Sequence, residues 1–155
     1  MNLKRYLILA LALLLGGGMA SAATQTFSTS IVIRQAIVIT KTSDLLFGTI
    51  ELPTGSTLYT VAAAATGHTA GVGAAAGEFT AAGESGAPAT VSVTSPIVIV
   101  NGPNNLSVTP TLSTAAFTFG GTAQTIFVGG SVTVAPATVT GTYTNSTATL
   151  TVLYQ

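Results

Sequence analysis

One histidine and four carboxylates beyond the first twenty residues are the first candidates for acid–base chemistry: His68, Asp44, Glu51, Glu78 and Glu84. A Ser-His-Asp triad is arithmetically available, because hydroxyls are abundant and one histidine and one aspartate are present. His68 lies in an Ala/Gly stretch with no nucleophile elbow beside it, so it reads as a solvated loop histidine. Glu78 and Glu84 are close enough in sequence to suggest paired carboxylates for glycosidic cleavage. Isolated charges at turns explain them more simply. One histidine and four scattered acids make a poor metal set. The glycine-rich stretches contain no G-x-x-x-x-G-K-[ST], the pattern of a phosphate-cradling loop. With no cysteine in the chain, disulfides, thiolate metal sites and a cysteine nucleophile are excluded. The expectation is a protein that is not an enzyme, with no catalytic residue, no metal and no cofactor.

Another kind of chemistry is better supplied. Between Phe27 and Ile39 the odd positions read Phe27, Thr29, Ile31, Ile33, Gln35, Ile37, Ile39. Extended, those thirteen residues run about 40 Å, twice an ordinary strand. Either the strand bends near Arg34-Gln35 and stays within one domain, or its first half leaves the domain and pairs elsewhere. An exposed edge of this kind is a liability unless another subunit uses it. Phe27, Thr29, Ile31 and Ile33 are the side chains that would enter a neighbour's groove, with main-chain hydrogen bonds supplying the ladder.

The elements that must position such a site follow from pattern. Lys4 and Arg5, the apolar run Leu7–Leu15 and Ala20-Ser21-Ala22 read as a secretory signal peptide cleaved after Ala22 or Ala23. The apolar run is too short to span a bilayer core of about 30 Å, so no integral membrane segment is expected after cleavage. Without that segment, Arg34 and Lys41 stand against four acids. A chain only 5% charged falls far below the usual quarter. Nucleic acid is an improbable partner, because phosphate binding needs clustered cations. A Thr/Ser/Gly/Ala surface with little charge also puts little repulsion between copies.

At the other end, Ala148, Leu150, Val152 and Tyr154 alternate with Thr147, Thr149 and Thr151, and Leu153 is the apolar exception. This is a strand with one buried face, and it is the candidate wall of the groove. Asp44–Leu52 reads as a strand ending at the turn Pro53-Thr54-Gly55, and Thr57–Val61 as a short strand. Residues 62–88 are a low-complexity run of small residues in which Glu78-Phe79-Thr80-Ala81 is the best candidate for order. Short strands follow at 90–94, 97–100, 106–112, 115–119, 125–128 and 131–135. Asn-Gly and Gly-Gly pairs between them, Gly129-Gly130 included, read as hairpin turns. The sum is an all-β, immunoglobulin-like antiparallel β-sandwich of about eight to ten strands. The expected organisation is 1–23 signal peptide, 24–36 extension or first strand, and 37–155 sandwich domain.

Leu46-Phe47-Gly48-Thr49-Ile50, Val128-Gly129-Gly130-Ser131-Val132-Thr133-Val134, Gly141-Thr142-Tyr143 and Leu150-Thr151-Val152-Leu153-Tyr154 together resemble a secreted bacterial family, the domain of unknown function 4402. The resemblance runs from Ile37 to Tyr154, with Asn145 standing where a second glycine is common. It implies an exported immunoglobulin-like sandwich without catalytic residues, and it is similar to chaperone–usher pilus subunits. The functional expectation is a homo-oligomeric subunit of an extracellular fibre or pilus at the cell surface. It would join by donor-strand exchange after passing the periplasm with a chaperone and usher. The alternative is a monomeric exported binding module or adhesin whose loops, residues 62–88 above all, take a ligand.

Overall fold

A computed structural model describes residues 22–155. The expected signal peptide therefore lies, apart from Ala22 and Ala23, outside the described residues. Two units separate at Ile33/Arg34. Within the first, Phe27, Ile31, Val32 and Ile33 are each at least 80% exposed, and residues 22–33 form no strand.

The second unit is all-β and antiparallel, with no helix among the described residues. Its strands are β1 (Val38–Ser43), β2 (Thr57–Val61), β3 (Gly77–Ala82), β4 (Pro88–Val93), β5 (Ile97–Asn101), β6 (Asn104–Leu112), β7 (Ala116–Thr118), β8 (Gln124–Val134) and β9 (Leu150–Tyr154). One sheet runs β1-β3-β8-β6-β5 with β2 also on β8, and the other runs β7-β4-β9. The larger core cluster draws Ala81 and Ile126 from the first sheet and Ala89, Val91 and Val152 from the second, with Phe119 among them. A smaller cluster gathers Ile97, Val108 and Val132.

β8 is the strand on which the larger sheet is built. β6 pairs with Val128–Val132 along one edge. β3 takes Gln124–Val128 and β2 takes Gly130–Val134, so these two lie in tandem along the opposite edge. Here the expected Gly129-Gly130 hairpin is corrected: the strand continues straight through both glycines for eleven residues. The glycines serve close approach rather than turning. A Cβ at Gly129 would collide with the main chain of Val61 and Ala63, where β2 ends against β8.

Residues 44–52 also depart from the expected strand. In place of a strand, this stretch makes two isolated bridges, Leu46 with Ala75 and Thr49 with Val72. Gly48 between them has φ +72°, which interrupts an extended run. Residues 62–88 hold β3, which contains the Glu78–Ala81 stretch singled out from sequence. β7 is shorter than expected and stops before Phe119, whose side chain is nonetheless 1% exposed.

Candidate functional site

Among the described residues β9 pairs with β4 on one edge only, since it ends its sheet. The Gln155 amide donates to the Pro88 carbonyl, and the Thr94 amide donates to the Thr149 carbonyl. In an antiparallel ladder such bonds recur at every second residue. Odd-numbered residues therefore face β4, and the N–H and C=O groups of Leu150, Val152 and Tyr154 point to the outer edge.

Beside the start of β9 is a partly open cavity of about 1060 Å³. Ala148 and Leu150 line it, together with Phe47, Ile99, Leu106 and Val134. Its floor reaches Val108 and Val132 of the smaller core cluster. The edge of β5 also borders it through Ile97 and Ile99, but the chain itself covers that edge. Val100 and Thr144 exchange two main-chain hydrogen bonds of 2.9 and 3.0 Å. The Asn145 side-chain amide donates to the Val98 carbonyl at 2.6 Å, while its Oδ1 accepts from the Thr147 and Ala148 amides, both at 2.8 Å. Asn145 thus shapes the turn into β9, a role that glycine in its place would leave empty. Of the two edges beside the cavity, β9 has the open one.

The four C-terminal wall residues divide between two places. Ala148 and Leu150 border the cavity, whereas Val152 and Tyr154 belong to the larger core cluster, with Leu150 reaching both. Phe27, Ile31 and Ile33 are 86%, 82% and 83% exposed, and Thr29 is exposed with them. Sequence reasoning missed Phe47, Ile99 and Leu106 as cavity walls. The signal for them was only their alternation, which every strand shares.

A second cavity, about 540 Å³, lies among Ser43, Thr66, His68, Ala76 and Glu78. The Ser43 hydroxyl donates to the Ala76 carbonyl at 3.0 Å and accepts the Glu78 amide at 3.1 Å, so it is engaged in holding β1 to β3. His68, expected as a solvated loop histidine, instead has its Nδ1 buried with no hydrogen-bond partner among the described residues. No group of three or more His, Cys, Asp or Glu suited to a metal occurs among the described residues. No three of Asp44, Glu51, Glu78 and Glu84 gather into such a group, and Asp44 is bonded to Lys41 at 2.7 Å.

These features define an all-β domain of antiparallel sheets with a cavity of largely apolar walls beside an edge strand. Residues 37–154 match the family model described as Domain of unknown function (DUF4402), and the chain belongs to that family. The family stretches quoted above take physical form here: Gly48 sits between two bridges, Gly129 under the end of β2, and Tyr154 at the core. No curated protein and no solved structure matches the chain.

Proposed function

We propose that this chain is an exported, non-enzymatic subunit of an extracellular fibre, joined by donor-strand complementation between copies. Residues 27–33 of one copy would lie along the outer edge of β9 in the next, with Phe27, Ile31 and Ile33 entering the cavity. One observation carries the reading: the same chain holds a segment whose Phe27, Ile31 and Ile33 are each more than 80% exposed, and a cavity of about 1060 Å³ with largely apolar walls beside the edge strand β9. Burying three large apolar side chains contributes on the order of 5–8 kcal/mol before ordering costs. The main-chain groups of Leu150, Val152 and Tyr154 would add a ladder. Export by the N-terminal signal, an immunoglobulin-like sandwich, and passage with a periplasmic chaperone and usher belong to the same proposal. The two-sheet composition of the larger core cluster supports the sandwich.

The test removes residues 24–33 and compares the product with the full chain by electron microscopy and thermal unfolding. A folded monomer that no longer forms filaments is the expected result. Unfolding of the truncated chain, or a full chain that stays monomeric at all concentrations, overturns it. The second reading, a monomeric binding module, is favoured by the cavity at Thr66, His68 and Glu78 with its unpartnered Nδ1. That reading predicts a clean monomer whose function is lost on changing His68.

A further inference from the structure

Tyr154 does more than pack. Its ring meets Phe119 edge-on, with centroids 5.7 Å apart and planes at 66°. Its hydroxyl donates to the Gln35 carbonyl at 2.7 Å and accepts the Glu84 amide at 2.7 Å. The Arg34 guanidinium carbon stands 5.4 Å from the ring centroid, within the range of a cation–π contact. Ile37, two residues on from Gln35, packs against the same core cluster. Room for the hydroxyl exists because position 83 is glycine, where a Cβ would come within 2.6 Å of it. One phenol therefore ties together three places far apart in sequence: residues 34–35, the turn between β3 and β4, and the C-terminal strand.

Residues 34–37 are where the exposed extension becomes part of the domain. Resting on the fibre reading above, we infer that Tyr154 is a positioning residue, a clasp that fixes the root of the donor segment. A segment that pivots freely at its root must be ordered along its whole length when it docks. Holding the root in advance removes part of that entropic cost and narrows the directions in which the segment leaves. The clasp also makes the subunit polar. It sits at the Tyr154 end of β9, and the cavity borders the Leu150 end, about 13 Å away along the strand. A donor rooted at one end and a groove at the other form a head-to-tail contact between different surfaces, the kind that propagates when it does not close into a ring.

Trypsin reads the clasp directly, because beyond residue 5 the chain offers it only Arg34 and Lys41. Tyr154→Phe keeps the ring against Phe119 and removes the hydroxyl alone. In dilute monomer, cleavage after Arg34 is expected to be at least tenfold faster in Tyr154→Phe than in the unaltered chain, with cleavage after Lys41 unchanged. Equal rates after Arg34, or acceleration at both sites together, would show that the hydroxyl only supports the fold and would overturn the clasp. The filament arm is separate. Where the unaltered chain forms filaments, Tyr154→Phe should elongate several-fold more slowly and with a less regular repeat. Unchanged elongation and repeat would overturn the positioning role even with faster cleavage. Absence of filaments from the unaltered chain would instead sink the fibre reading and the role that rests on it, while the protease result would still report whether the root is held.

Discussion

Two regions of this domain are built from the same kinds of residue and end differently. Around Phe119, side chains from both sheets close over one another, and Ala81, Ala89 and Ile126 are fully buried. Around Val132 the same alternation produces a smaller cluster whose neighbours Phe47, Ile99 and Leu106 line open space. β8 serves both, with Ile126 in the first cluster and Val132 in the second. The difference lies in the cover. The Phe119 region has aromatic plugs, with the Phe117 and Phe119 rings 4.8 Å apart and Tyr154 beyond them. The other region is bordered by a polar segment held over β5 by four hydrogen bonds, three of them involving Thr144 or Asn145 at its centre. One end is closed by its own side chains, and the other stays partly open.

The sharpest way to break that contrast is to shorten one side chain in each region. Phe119→Ala is expected to cost about 3–5 kcal/mol, since it opens an enclosed hole in a closed cluster. Ile99→Ala should cost about 1–2 kcal/mol, because the lost volume merges with space already open and only the transfer term remains. Denaturant unfolding of both variants measures this. Equal costs would mean that the cavity is closed in solution and that the two regions do not differ.

Most of the strand content is legible in the sequence, because alternation over five or more residues needs no partner to be seen. The face through Leu150, Val152 and Tyr154 and the exposed Leu153 are as the pattern reads. The failures share a physical cause. Gly129-Gly130 looks like a hairpin because glycine permits a turn, but here it permits contact, and contact depends on β2, some seventy residues earlier. Residues 44–52 alternate like a strand and still make only two bridges, which the sequence around them does not reveal. The candidate site was half legible. Phe27, Ile31 and Ile33, the side chains proposed as donors, stand out as apolar residues with nothing local to cover them. The cavity walls do not, because a residue lining a void and one filling a core have the same type and the same period.

A smaller effect sharpens the comparison at the seam between the regions. Gly129→Ala places a methyl group against the main chain of Val61 and Ala63, which cannot rotate away as a side chain can. A loss of about 1–3 kcal/mol is expected, the usual range for forced overpacking. Gly55→Ala is the control, with nothing within 4 Å of the added atom, and should stay within about 0.5 kcal/mol of the parent. A neutral Gly129→Ala would show that β2 and β8 can part at their crossing and that the seam is soft.

The smallest expected effect separates apolar from electrostatic joining. Lys41 and Asp44 both border the open cavity and form the one ion pair among the described residues, at 2.7 Å with side chains 56% and 67% exposed. Exposed pairs of this kind are worth about 0.2–1 kcal/mol, so Asp44→Asn should barely move the unfolding midpoint. Its effect on assembly is the more telling measurement. If the open region is completed by apolar side chains and main-chain hydrogen bonds, raising salt from low to physiological strength and beyond should leave the filament concentration threshold nearly unchanged, in Asp44→Asn and parent alike. A threshold that climbs steeply with salt in the parent and not in Asp44→Asn would assign the joint to this single carboxylate. The cavity would then be incidental to assembly, and the contrast between the two regions would lose its functional meaning.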